Sequence, residues 1–151
     1  MSSQPDAVEA AKQRLMRFLG TREHTRTELA RKLAQRGVPP AVIEMALDWA
    51  VAAGHLNEQR FADAYTAELR RKGYGARAIQ KKLYEKGVRE AEPLEEDPDA
   101  TRAAAAELVQ RRYGEIDALE PAEKLKAARF LVNRGFDHDT IRSLLGPLPR
   151  G

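Results

Sequence analysis

The residues best suited to chemistry in this chain are cations. Arg70-Arg71-Lys72-Gly73-Tyr74-Gly75-Ala76-Arg77 gathers four basic side chains around a tyrosine flanked by glycines, and Lys81, Lys82 and Lys86 follow. Clustered Lys and Arg neutralise several phosphates at once, and glycines beside them let another backbone approach closely. Tyr74 has a ring that could stack on a base, or equally close a helix corner against the core. Phe61, Tyr65 and Trp49 stand at helical spacing and read as core. No side chains are arranged to read base edges. Any nucleic-acid binding expected here is electrostatic and weakly sequence-selective.

Other chemistries lack their residues. There is no cysteine, which excludes disulfides, thiolate metal sites, iron–sulfur clusters and cysteine catalysis. His24, His55 and His138 lie far apart without metal-ligand spacing and read as ordinary surface histidines. Neither G-x-x-x-x-G-K-S/T nor G-x-G-x-x-G occurs, so nucleotide hydrolysis and dinucleotide binding have no support. Glu92-Pro93-Leu94-Glu95-Glu96-Asp97-Pro98-Asp99 is rich in carboxylates, but solvated acids in a Pro-containing segment make a poor acid/base pair and read as a hinge or linker. The expectation is a protein that is not an enzyme and holds no cofactor and no metal.

With 151 residues the chain suits one domain or a short array of repeats. No apolar run approaches the roughly 18 residues of a membrane span. Met1–Asp6 lacks the basic and apolar regions of a signal peptide, so a cytoplasmic protein without membrane contact is expected. Twenty-six basic against 23 acidic residues leave a net charge of +3, which hides alternating blocks. Residues 11–37 hold eight basic against two acidic groups and 60–91 nine against four, whereas 92–123 hold three against ten. Such blocks give electropositive faces that attract phosphate.

The elements that must position these charges are helices. Ala, Leu, Glu, Lys and Arg dominate, and no segment alternates apolar and polar residues. Nine helices are expected at about 7–19, 26–36, 40–53, 58–72, 76–86, 89–96, 99–113, 121–134 and 138–145. Gly20, Gly37, Gly54, Gly73, Gly87, Gly114, Gly135 and Gly146 each follow an apolar-periodic run, where a helix stops in a left-handed residue. Thr25 and Glu28 match a capping box, and Pro40, Pro98 and Pro121 suit first turns.

An internal repeat runs without gaps over 27 residues. Anchored on Gly37, Gly87 and Gly135, it places Leu33, Leu83 or Leu131 four residues before, and Leu29, Ile79 or Ala127 eight before. Val38, Val88 or Phe136 stands one after, and Ala11, Phe61 or Val109 twenty-six before. These positions fall on one face of two successive helices. Ile43 and Ile141 follow the glycine by six, but the middle copy has Pro93, so its third helix is short or disrupted. The period predicts an elongated, curved all-α array of three tandem three-helix repeats, at 10–57, 58–98 and 99–146, with the N-terminal tail and start of the first helix at 1–9 and a C-terminal tail at 147–151. Two further columns are basic. Arg36, Lys86 and Arg134 precede the glycine and suit the helix dipole. Arg31, Lys81 and Arg129, six before it, lie too deep in the helix for that account and could line one side of the array with positive charge.

Arg60-Phe61-Ala62, Tyr65, Arg70 to Gly73, Ile79, Leu83 and Lys86-Gly87-Val88 together resemble the RecX family of bacterial recombination regulators. The resemblance continues through Arg111-Arg112-Tyr113-Gly114, Phe130-Leu131, Arg134-Gly135-Phe136 and Ile141, from about Ala10 to Gly146. It implies a curved array of three-helix repeats, as the periodicity does independently. It also implies a partner of the RecA recombinase filament on single-stranded DNA, inhibiting filament growth, strand exchange, ATP hydrolysis and coprotease activity. Stacked repeats need no second copy to fold, so a monomer is expected. The basic candidates to face DNA or RecA are Arg31, Lys32, Arg70, Arg71, Lys72, Arg77, Lys81, Lys82, Lys86 and Arg129, with the acidic 92–99 segment held outside. Two other readings stay open. A helix-turn-helix regulator is one, although Pro40-Ala41-Val42 and His138-Asp139-Thr140 make poor base readers; a protein-interaction scaffold without DNA contact is the other.

Overall fold

In a computed structural model that describes residues 3–148, eight α-helices and one short 3-10 helix account for all regular structure among the described residues. They are α1 Gln4–Leu19, α2 Arg26–Gln35, α3 Pro40–Ala52, α4 Glu58–Arg71, α5 Ala76–Glu85, α6 Pro98–Tyr113, the 3-10 helix Ile116–Ala118, α7 Pro121–Asn133 and α8 His138–Leu145. The outermost parts of the two expected tails, residues 1–2 and 149–151, lie outside the described residues.

The helices begin where side chains can satisfy the free N–H groups of a first turn. In α2, Thr25 and Glu28 form the expected capping box: the Glu28 N–H donates to Thr25 Oγ1 at 3.1 Å, and the Thr25 N–H to Glu28 Oε1 at 3.2 Å. Asp137 caps α8 by accepting from the Thr140 N–H at 2.8 Å, and Asn57 opens α4 by accepting from the Arg60 N–H at 2.9 Å. Prolines occupy the first turns of α3, α6 and α7.

Five of them, α2, α3, α4, α5 and α7, end in the same turn, with the Tyr74 N–H closing on the Leu69 carbonyl after α4 and the His55 N–H on that of Ala50 after α3. After α2, α5 and α7 the residue beyond the glycine donates back to the leucine four before it: Val38 to Leu33, Val88 to Leu83, Phe136 to Leu131, at 3.0–3.1 Å. That 6→1 bond needs a left-handed residue between, and Gly37, Gly87 and Gly135 have φ of 80°, 98° and 94°. Gly20 departs from the expectation. Its φ is -68°, because the chain leaves α1 in a right-handed turn closed by the Thr21 N–H on the Phe18 carbonyl.

The chain divides into two compact units. One takes residues up to Tyr65 together with Leu83–Glu92. Its core is built by α1, α2 and α3, with Ala11 and Leu15, Leu29 and Leu33, and Ile43, Leu47 and Ala50 meeting at i,i+4 and i,i+3 spacing. The other takes Thr66–Lys82 and the chain from Pro93. There Val109, Leu119, Ala127, Leu131, Phe136, Ile141 and Leu145 form the core of α6, α7 and α8. A buried leucine of this kind is worth about 2–5 kcal/mol against alanine. The division passes through α4 and α5, whose Phe61, Ala62, Leu69, Ile79 and Leu83 are buried.

One expected helix is missing. Residues 89–97 are not helical, so the second repeat has two helices where three were expected at 58–98. Pro93 has no N–H to give and drives Glu92 out of the helical region. The Glu92 N–H instead donates to the Gln59 side chain at 2.7 Å. The segment also offers few apolar groups to pack, only Ala91 and Leu94 escaping full exposure.

Candidate functional site

The basic turn between α4 and α5 is clasped by the turn after α7. The Gly75 N–H donates to the Arg134 carbonyl at 2.6 Å and the Arg77 N–H to the Gly135 carbonyl at 3.1 Å, so α5 receives its N-terminal acceptors from α7. A Cβ on Gly75 would sit 2.7 Å from the Gly135 carbonyl, so the glycine here serves an internal approach. Arg134 completes the clasp, donating to the Lys72 carbonyl at 3.0 Å with its guanidinium 5.2 Å from the Tyr74 ring centre and 5.4 Å from that of Phe130. Lys82 approaches the same Tyr74 ring at 4.9 Å. Tyr74 is therefore a half-buried corner residue between two cations.

The acidic segment runs beside this turn with its carboxylates exposed. Arg70 donates to the Glu95 carbonyl at 2.8 Å, and Glu95, Glu96 and Asp97 share with Arg70, Tyr74 and Phe136 the lining of a groove of about 440 Å³. The physical reason is proximity along the chain. Pro93 and Pro98 bracket a short extended segment that must return to the start of α6, and the guanidinium at the end of α4 meets a free carbonyl on the way.

The ten basic candidates separate into engaged and free cations. Lys32 Nζ donates to His24 Nε2 at 2.8 Å and lies 5.0 Å from the Phe18 ring centre. Lys72 pairs with Glu68 at 2.9 Å. Lys86 stands 5.8 Å from the centre of the Tyr65 ring, while its carbonyl accepts from Thr25 Oγ1 at 2.7 Å. Arg77 is exposed and adds to the pull that lowers the Asp137 pKa, which the hydrogen bonds from Thr140 chiefly cause. Arg31, Arg71, Lys81 and Arg129 are exposed and make no hydrogen bond or ion pair with a described residue. The column six residues before the turn glycine is thus the free one. The column just before it is engaged, since Arg36 too lies over a ring, that of Phe18, at 5.7 Å.

His24 corrects a further expectation. It is 0% exposed, because the capping box of α2 draws the preceding residue inward beside Phe18. Its Nδ1–H donates to the Arg22 carbonyl at 3.0 Å, and burial holds its pKa below the usual value. Beside it, burial alone would raise the Glu28 pKa, but bonds from Arg22 and the Thr25 N–H outweigh that and lower it. Two pairings went unforeseen. Arg26 bridges Glu44 at 2.6 Å and Asp48 at 2.8 Å, and the Arg89 guanidinium lies 3.7 Å from the Tyr84 ring centre. The i,i+4 spacing of Glu44 and Asp48 was the available signal for the first. Among the described residues no three His, Asp or Glu side chains gather as a metal-binding group, and no helix is long and apolar enough to cross a membrane.

Helices paired through a repeated glycine turn, each copy carrying an exposed cation at one position, define an all-α protein of tandem helical repeats. The chain belongs to the RecX family. It matches the descriptions "RecX, first three-helix domain" over residues 11–49, "RecX, second three-helix domain" over 57–92 and "RecX, third three-helix domain" over 100–145. It is 36% identical over 143 residues to "Regulatory protein RecX" of Pseudomonas syringae pv. tomato, covering 93% of this chain and 92% of that one. To the protein of that description from Leptothrix cholodnii it is 38% identical over 138 residues, covering 89% and 86%. The fold is similar to the crystal structure of RecX from Lactobacillus salivarius, with a TM-score of 0.78, 16% identity, and coverage of 93% of this chain and 96% of that one. The residues without helix at 89–92 fall inside the second domain match, so this chain keeps the domain while lacking that helix.

Proposed function

We propose that this protein binds the RecA recombinase filament on single-stranded DNA and lowers its extension, strand exchange, ATP hydrolysis and coprotease activity. It does so in the cytoplasm, as a monomer, in DNA repair, recombination and the SOS response. What carries the reading is the match of all three RecX domains along one chain. The free cations add to it. Arg31, Lys81 and Arg129 hold one position in each repeat, at 10–57, 58–98 and 99–146, and are available to phosphates or to carboxylates of the filament. Weak, sequence-independent contact with DNA then accompanies the protein contact, and bound repeats hinder subunit addition.

The test is the ATPase of RecA on single-stranded DNA with this protein titrated in. Turnover that falls at ratios well below one per RecA is the expected result, and favours action at filament ends or by bridging. Unchanged turnover up to equimolar protein overturns the proposal.

A further inference from the structure

Among the described large hydrophobic side chains Tyr84 is the most exposed, at 62%. It lies one residue beyond the buried Leu83, turned about 100° away from the inward face of α5. The Arg89 guanidinium sits 3.7 Å above the ring centre. Its Nη1 donates to the Tyr84 carbonyl at 2.7 Å and to the Val88 carbonyl at 3.2 Å, so one carbonyl of the last helical turn and one beyond the glycine turn hold the arginine in place. With the guanidinium held over one side of the ring, the pair is assembled before any ligand arrives, which lowers the entropy cost of a further plane joining it.

A groove of about 550 Å³ runs past the same arginine. Val51 and Leu56 give it an apolar side, Asn57 and Gln59 a polar one, and Arg26 and Arg89 both reach it. Arg26 is already neutralised by Glu44 and Asp48, and Glu58 and Glu90 also line the groove. Mixed charge of this kind suits the neutral, flat part of a nucleotide better than a phosphate or an acidic peptide. An apolar partner surface finds no continuation either, since Gln80, Lys81 and Glu85 around Tyr84 on α5 are exposed and polar.

We infer that Tyr84 and Arg89 form a stacking platform for an unpaired nucleobase, with the neighbouring nucleotide entering the groove beside Arg89. Every base has a π-face, so the platform takes single strands without regard to sequence. The inference deepens the proposed function and rests on its reading that the chain meets single-stranded DNA.

The experiment measures binding by anisotropy to a labelled oligo-dT and to an abasic strand of equal length and charge. The wild-type chain should prefer oligo-dT. Tyr84→Ser should weaken oligo-dT binding about five-fold or more, the equivalent of one lost base stack, and leave the abasic strand unchanged. Tyr84→Trp should keep the affinity and show tryptophan emission quenched by oligo-dT. Equal loss on both strands, or unchanged oligo-dT binding by Tyr84→Ser, overturns the platform, as does a defect confined to RecA inhibition. A wild-type chain that inhibits RecA yet shows no preference for bases overturns the platform alone. A preference for bases without effect on RecA supports the platform and overturns the filament reading.

Discussion

His24 is enclosed, with Nδ1–H bonded to the Arg22 carbonyl and Nε2 accepting from the Lys32 ammonium. The second bond holds only while the imidazole is neutral, since a proton on Nε2 removes its lone pair and places a second cation against Lys32. The Nδ1–H bond survives protonation and opposes a fall in pKa. Burial nevertheless keeps the folded-state pKa below the ordinary 6.5. The sign follows from proton counting. Above about pH 6.5 neither state is protonated at His24 and its contribution to stability is complete; as pH falls through that value the unfolded chain takes a proton that the folded chain refuses. Urea midpoints should therefore drop between about pH 7 and 5 in the wild type, and His24→Gln should flatten that part of the curve. Equal slopes in the two proteins would show that His24 does not titrate there. Glu28, whose pKa is lowered from 4.5, acts with the same sign in a more acid window, so the two are separable. None of this was legible in the sequence, where His24 stands in a polar turn; its enclosure follows from Thr25 acting as a cap and from Phe18 packing across the turn.

At the scale of elements, the glycine turns close α2, α5 and α7 alike, yet their surroundings differ. A Cβ on Gly37 meets nothing within 4 Å. On Gly87 it would collide with the Thr27 side chain, and on Gly135 with the Ala78 backbone at the start of α5. The left-handed backbone alone costs alanine about 1–2 kcal/mol. Chemical denaturation should therefore rank the variants Gly37→Ala, Gly87→Ala and Gly135→Ala in rising cost. The second has to shift the Thr27 Cβ as well as its hydroxyl, and the third meets the backbone of a helix start. Equal losses at all three would mean that backbone conformation alone decides. The turns themselves were legible, because Leu–x–x–x–Gly followed by a hydrophobic residue recurs along the chain and needs only local geometry. Which turn docks against a neighbouring helix start was not, since that is set by contacts about 60 residues apart, such as Thr25 Oγ1 on the Lys86 carbonyl and Arg134 on that of Lys72. The helix expected at 89–96 failed for a reason also present in the sequence: Pro93 at its centre outweighs the helix-forming glutamates around it.

For the molecule as a whole, alternating charge blocks were readable as counts along the chain, but a count cannot tell an occupied cation from a free one. Lys32 and Arg31 are sequence neighbours of like charge, and only the first is tied to a buried acceptor. This difference separates two kinds of substitution. Arg31, Lys81 and Arg129 are exposed without carboxylate partners, so replacing all three with glutamine should leave the thermal midpoint nearly unchanged. On the proposed function, the same change should weaken inhibition of the RecA ATPase. If the three side chains contact phosphates, it should also lower the slope of log affinity against log salt on single-stranded DNA by about 2, since each contact contributes about 0.7. Arg134→Gln should do the opposite. It breaks the clasp on Lys72 and the contacts with Tyr74 and Phe130, so stability falls while the salt slope barely moves. Should the triple variant keep both the full slope and full inhibition, the free column carries neither contact, and binding resides in the engaged cations around Tyr74.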